Sequence, residues 1–310
     1  MEELFVRSER NPLIEVSDLP YPANAVFNAG VADLGDEVLL LLRVESRSGR
    51  SHLTVARSRD GITDWRIEDR PLLHPDQGSP YEAYGIEDCR VTRVDELDRW
   101  VLAYTAYSGY GPAVALATTT DFKSAERLGI VFPPNNKDAA LFPRKVKGKY
   151  AILHRPRGGE GSIWIAYSSD LLHWGENQVV LPFRAGPWWD GAKVGTGLPP
   201  IETDRGWLLI YHGIKNMVSG PIYRVGAALL DRDEPELFIA RTHHWILGPQ
   251  APYERTGDVP NVVFPCGGFV RDGELWMYYG AADSSICLAT ARIDEIIDYL
   301  LADPRNHNGN

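Results

Sequence analysis

Five times along the chain a short apolar run is followed by a second run that closes on a polar turn ending in aspartate. The second run is clearest at Leu53-Thr-Val-Ala-Arg-Ser-Arg-Asp60, Val114-Ala-Leu-Ala-Thr-Thr-Thr-Asp121 and Ile163-Trp-Ile-Ala-Tyr-Ser-Ser-Asp170. Looser copies are Tyr223-Arg-Val-Gly-Ala-Ala-Leu-Leu-Asp231 and Ile286-Cys-Leu-Ala-Thr-Ala-Arg-Ile-Asp294. Their central small residues, Ala56, Ala117, Ala166, Ala227 and Ala289, are 61, 49, 61 and 62 residues apart. The upstream runs are Glu37–Arg43, Arg99–Tyr104, Lys149–His154, Gly206–His212 and Glu274–Tyr279. All are short and rich in branched or aromatic residues, which predicts strands. Turn signals such as Lys147-Gly148 and Arg271-Asp-Gly273 tie these runs to earlier strands, giving at least three strands per unit.

A strand-built repeat of this length predicts a solenoid or a propeller. Four strands in each of five units is the economical count, because radial repetition buries the faces of each sheet against its neighbours. The predicted fold is therefore all-β, a five-bladed β-propeller forming one domain over residues 1–310. Residues 1–25 contain Asn11-Pro12 and Leu19-Pro-Tyr-Pro22 and read as an extended arm that packs on the propeller or on another subunit, so a homo-oligomer is allowed. Residues 292–302 place Ile293, Ile296, Ile297, Leu300 and Leu301 at helical spacing and predict a short C-terminal helix.

With 44% hydrophobic residues, the chain can bury a large core, and no linker or charge run divides it. A net charge of −10 without a basic stretch argues against nucleic acid as a partner. No apolar run approaches the roughly 18 residues of a membrane span. The start, Met1-Glu-Glu-Leu-Phe-Val-Arg, is acidic where a signal peptide is basic. The three cysteines lie inside strand patterns without metal-ligand spacing, so a cytoplasmic protein with buried thiols is expected.

The innermost strands of a propeller line one channel, so polar residues far apart in sequence converge there. These strands open at Phe27-Asn28, Gly85-Ile-Glu87-Asp88-Cys-Arg90, Lys137-Asp138, Lys193-Val-Gly-Thr-Gly197 and Val263-Phe-Pro-Cys-Gly267. With the ends of the following strands, the predicted mouth holds Asn28, Arg43, Glu87, Asp88, Asp138, Arg144, Arg155, Lys193, His212 and Asp283. Histidines are too few and cations too many for a metal site. The mixture suits an oxyanion together with a hydroxyl-rich ligand. Trp188-Trp189 in a Pro-rich loop could stack on sugar rings, although blade packing accounts for most of the tryptophans.

These residues resemble glycoside hydrolase family 130, five-bladed propellers that include β-mannoside phosphorylases. The resemblance rests on Phe27-Asn-Ala-Gly30, Gly85-Ile-Glu-Asp-Cys-Arg90, Asn136-Lys-Asp-Ala-Ala-Leu-Phe-Pro-Arg144, His154-Arg-Pro156, Trp189-Asp-Gly-Ala-Lys-Val-Gly-Thr-Gly197, Tyr211-His-Gly213, Asn261-Val-Val-Phe-Pro-Cys-Gly267 and Tyr278-Tyr-Gly-Ala-Ala-Asp283. Cys89 stands where the family usually has proline. The resemblance implies that Asp88 is the general acid and that Asn28, Arg43 and Asp283 hold the non-reducing mannosyl unit. It implies that Asp138 contacts sugar and that Arg144, Arg155, Lys193, His212 and Tyr223 bind phosphate. Inorganic phosphate would be co-substrate to a β-mannoside, with no cofactor or metal. The Phe-Asn-Ala-Gly, Ile-Glu-Asp and Asn-Lys-Asp segments look like the β-1,2-mannoside subgroup, while Arg144 and Lys193 look like the β-1,4 subgroup; the former is favoured.

Charge supports phosphorolysis independently. An inverting hydrolase needs an acid and a base, whereas phosphate arrives as a competent nucleophile whose charge must be neutralised. A β-mannosidase that uses water and a non-catalytic carbohydrate-binding propeller are the competing readings. On a regular strand Asp88 and Arg90 share a face, so the guanidinium would depress an acid that should be raised. Either Arg90 turns to another partner or the acid lies away from the glycosidic oxygen, with the proton passing through a mannose hydroxyl as the family implies. Glu87 is expected on the opposite face.

Overall fold

A computed structural model describes residues 3–157 and 161–307. The fold is all-β; its strands follow one another as five antiparallel units in four sheets, the first two units being joined into one eight-stranded sheet by a parallel pairing of Ser51 with Gly85. The first contains Ala25–Asp33, Val38–Glu45, Ser51–Ser58 and Arg66–Ile67; the second Gly85–Val94, Arg99–Ser108, Gly111–Thr119 and Glu126–Phe132. The third contains Asn136–Leu141, Tyr150–Pro156, Ile163–Ser168 and Gly175–Leu181. In the fourth, Lys193–Thr196 and Ile201–Thr203 together flank Gly206–Met217, followed by Gly220–Leu230 and Phe238–Arg241. The fifth contains Val263–Arg271, Glu274–Ala281 and Ser285–Arg292.

The turn between third and fourth strands explains the repeated aspartate. Asp60 Oδ1 accepts from the backbone N–H groups of Ile62 and Thr63 at 2.9 and 2.8 Å, and Asp170 Oδ1 from those of Leu172 and His173, both at 2.9 Å. Asp121 and Asp231 make the same side-chain turn. The fifth copy departs from this pattern, because Asp294 enters the helix Ile293–Ala302. The missing fourth strand comes from the other end of the chain: Val6–Arg7 pairs with Ala289 and Thr290, and Ile14–Glu15 with Ser285 and Ile286. The N-terminal arm, expected to pack on the propeller or on another subunit, completes the last sheet of its own chain.

Strands such as Val38-Leu-Leu-Leu-Leu42 are apolar on both faces because both faces are covered. Leu39 and Leu41 pack with Ile86, Leu102 and Tyr104 of the second unit, while Leu40 and Leu42 pack with Tyr278, Ile286 and Leu288 of the fifth. Equivalent clusters join the second unit to the third, the third to the fourth and the fourth to the fifth. Innermost strands also touch in sequence. A Cβ on Gly30 would strike Cys89 and Val91, one on Gly197 would strike Pro265, and one on Gly267 would strike Ala29 and Val31. No helix among the described residues is long and apolar enough to cross a membrane.

Candidate active site

Three of the innermost strands carry the same irregularity near their start. Pairing slips between Phe27 and Gly30, between Glu87 and Arg90, and between Lys137 and Ala140. Within each bulge one residue takes a left-handed conformation, Asn28 at φ 51°, Asp88 at φ 49° and Asp138 at φ 55°. Asn and Asp tolerate this region best among residues with a Cβ. A bulge breaks the alternation of faces, so Phe27 and Asn28, Glu87 and Asp88, and Lys137 and Asp138 turn toward one space as pairs. The sequence motifs recur at the same place in each unit because the bulge does.

Asp88 lies at the centre, its side chain 3% exposed. Its Oδ1 accepts from Asn28 Nδ2 at 2.9 Å and Arg43 Nη1 at 2.8 Å, and Lys137 Nζ lies 3.5 Å from Oδ2. Burial acts to raise this carboxyl, but Arg43, Lys137 and Arg90 overcome it and hold the group well below the usual carboxylate range. Arg90 does turn elsewhere. It donates to the carbonyls of Gly197, Asp88 and Thr196 and so ties the second unit to the fourth across the centre. Arg43 also reaches Glu87 Oε1 at 3.1 Å and Ser51 Oγ at 3.0 Å, over the Phe27 ring. Glu87 therefore faces the site, contrary to the expectation from strand alternation, because the bulge follows it directly.

Asp283, in the turn after Glu274–Ala281, completes this half. Burial pushes its carboxyl up to about 6 against the pull of Arg43, with the Asp88 charge adding to the rise.

The second half is cationic. Arg155 donates from Nε at 2.9 Å and Nη2 at 2.6 Å to Asp138 Oδ2, and Lys137 Nζ lies 3.7 Å from Asp138 Oδ1. His212 Nε2 is 3.6 Å from Asp138, and its ring neighbours Phe264 and Tyr223 at centroid distances of 4.5 and 6.1 Å. Burial lowers His212 to about 3, so it is neutral. Lys193 has no ion-pair partner among the described residues; burial and the charges of Arg155 and Arg157 lower its pKa. Gly195 leaves room beside the cationic half, since a Cβ there would overlap Asp138 and His212. Asn28 Oδ1, Asp138 Oδ1 and His212 Nδ1 are buried without a hydrogen-bond partner among the described residues. A polar ligand can satisfy such atoms.

Two expectations change. Arg144 lies beyond the far end of Asn136–Leu141, where Glu202 takes its Nε and Nη2 at 2.8 and 2.6 Å and its guanidinium covers Trp207. It does not reach the mouth; Lys137 supplies the cation there instead. Asp138, read as a sugar contact, is fully buried beneath Arg155 and Lys137 and organises the cations. Lys137 was missed because strict alternation turns it away from Asp138.

A family profile described as β-1,4-mannooligosaccharide phosphorylase matches residues 7–302. The chain is 36% identical to a β-1,2-mannobiose phosphorylase of Listeria innocua, over 95% of this chain and 98% of the relative. It is 39% identical to a 1,2-β-oligomannan phosphorylase of Thermoanaerobacter sp. (93% and 97%) and 36% identical to a β-1,4-mannooligosaccharide phosphorylase of Ruminococcus albus (96% and 91%). The Listeria innocua enzyme solved with β-1,2-mannobiose superposes with a TM-score of 0.88 at 35% identity, covering 96% of this chain and 99% of that one. A structure from work on related hydrolases that target β-1,2-mannosidic linkages in Candida mannan gives 0.84 at 26% identity, covering 95% of both chains.

Proposed function

Because the chain belongs to glycoside hydrolase family 130, we propose that it is an inverting glycoside phosphorylase that passes a β-linked mannosyl unit to inorganic phosphate. The C1–O bond to the acceptor breaks, a C1–O bond to phosphate forms on the opposite face, and the acceptor oxygen takes a proton that originates on Asp88. The products are α-mannose 1-phosphate and a shortened acceptor, and no cofactor enters this reading. Asn28, Arg43 and Asp283 hold the transferred mannosyl unit. Lys137, Arg155, Lys193, His212 and Tyr223 receive phosphate, with Asp138 fixing the cations from below.

The observation that carries the reading is the cluster of cations, Lys137, Arg155 and Lys193, gathered beside the acid Asp88. Water would need a second carboxylate ready to accept a proton. Burial acts to raise Asp138, but Arg155 and Lys137 overcome it and hold the group far below the ordinary range, which makes it a poor base. A β-1,2 linkage is favoured by the Asn-Lys-Asp segment, whose lysine and aspartate both sit in the site, while of the two residues that look like the β-1,4 subgroup Arg144 lies outside it and only Lys193 lies within.

The same reading includes closure of the five units into a single-domain five-bladed β-propeller, supported by the clusters joining each unit to the next and the fifth to the first. A cytoplasmic location is supported by the unpaired thiols of Cys89, Cys266 and Cys287.

Incubation with β-1,2- and β-1,4-mannobiose, with and without phosphate, tests the function. Phosphate-dependent release of mannose 1-phosphate, faster from the β-1,2 disaccharide, is expected. Equal turnover without phosphate would mean a hydrolase, and no turnover of either sugar would leave a binding protein.

A further inference from the structure

Among the described residues, Lys137 is the one cation that pairs with the carboxylates of both halves, Asp88 and Asp138; Arg90 reaches Asp138 Oδ1 at 3.9 Å but only the backbone carbonyl of Asp88. The Lys137 Nζ lies 3.5 Å from Asp88 Oδ2 and 3.7 Å from Asp138 Oδ1, and the side chain is 20% exposed where the two carboxylates are 3% and 0%. The other groups around Asp88 are fixed. Asn28 and Arg43 both bind Oδ1, and Arg43 is further tied to Glu87 and Ser51. Arg90 is spent on three backbone carbonyls. Asp283 adds only negative charge nearby, and Cys266 donates its thiol to the Cys89 carbonyl. Oδ2 is therefore held by Lys137 alone. An ammonium on a flexible stem is also the cation most easily moved.

Resting on the phosphorylase reading, we propose that Lys137 couples phosphate binding to protonation of Asp88. Phosphate entering beside Arg155, Lys193 and His212 competes for the Lys137 ammonium and draws it off Asp88 Oδ2. The freed oxygen can then take up a proton from solvent and pass it on to the oxygen of the leaving sugar. The site thus keeps its acid ionised until the nucleophile has arrived. By thermodynamic reciprocity, neutralising Asp88 must strengthen phosphate binding by the same factor.

A double-mutant cycle on phosphate affinity, read by calorimetry without sugar, tests this. Asp88→Asn stands in for the protonated acid and should bind phosphate about tenfold more tightly than the wild type. Lys137→Met should bind more weakly, and adding Asp88→Asn to it should bring no further gain. Lys137→Arg, which keeps a cation, should restore the gain, and thermal unfolding of each variant checks folding. The proposal is overturned if Asp88→Asn brings no gain, or if the gain survives in full beside Lys137→Met, since Asp88 then acts only as a distant charge. Turnover separates this failure from that of the function: phosphate-dependent turnover with an uncoupled cycle sinks the coupling alone, whereas turnover indifferent to phosphate sinks both.

Discussion

Replacing Asp88 by asparagine keeps its shape and its contact with Arg43 while removing the group proposed to protonate the leaving sugar. Turnover of mannobiose is expected to fall about 10²- to 10⁴-fold, the usual span for a positioned acid. Thermal unfolding should change little, because Arg43 retains Glu87 and Ser51. Asp283 makes the opposite prediction, about stability. Its folded carboxyl is raised to about 6, above the roughly 3.9 of an unfolded aspartate. Its contribution to stability is therefore present below pH 4 and is lost as pH rises through 6. Asp283→Asn removes that loss. The variant should melt about 2–4 °C above the wild type at pH 8, with the margin shrinking as pH falls from 6 toward 4, while its mannoside turnover drops. A constant margin across that range would show that Asp283 is not the titrating group.

At the scale of the strand, the site depends on three bulges and one glycine. Lys193–Thr196 runs past Asp138 and His212 closely enough that a methyl on Gly195 would overlap both. Gly195→Ala should cost about 1–3 kcal/mol of stability through overpacking. It should also raise the phosphate KM more than the mannoside KM; an unchanged ratio of the two would remove Gly195 from the phosphate side. The strands themselves were legible in the sequence, because runs such as Val38–Leu42 are apolar on both faces and the aspartate turns punctuate them. The bulges were not. Asn28, Asp88 and Asp138 look like ordinary polar positions in an alternating pattern, and nothing local announces a left-handed residue there. Alternation therefore hid Lys137 and turned Glu87 away from the site. Arg144 shares a motif with Asp138 but lies at the other end of its strand.

At the scale of the whole molecule the two ends of the chain pair with each other, and this too has no local signal, since a pairing between Val6 and Thr290 leaves only an extended arm to be read. Phe5, 3% exposed, enters the cluster shared by the fourth and fifth units. Arg7 binds Glu254 at 2.7 and 3.0 Å and the Gly248 carbonyl at 2.6 Å, and Glu254 in turn accepts from Tyr279. The arm therefore completes the edge of the fifth sheet and the adjacent interface together. Phe5→Ala leaves the Arg7 network in place but empties part of that interface, at an expected cost of about 3–5 kcal/mol. If the units form a closed ring, the loss should concentrate where the ring is joined. Amide exchange should accelerate in Ser285–Arg292, the strand that pairs with the arm, and less in Gly111–Thr119, the corresponding strand of the second unit. Equal acceleration in both strands would mean that the units unfold as one body with no weaker joint. Faster exchange in the fifth unit alone, with phosphate binding retained, would identify the arm as a latch on a ring whose cations, Lys137, Arg155 and Lys193, are held in place by the other units.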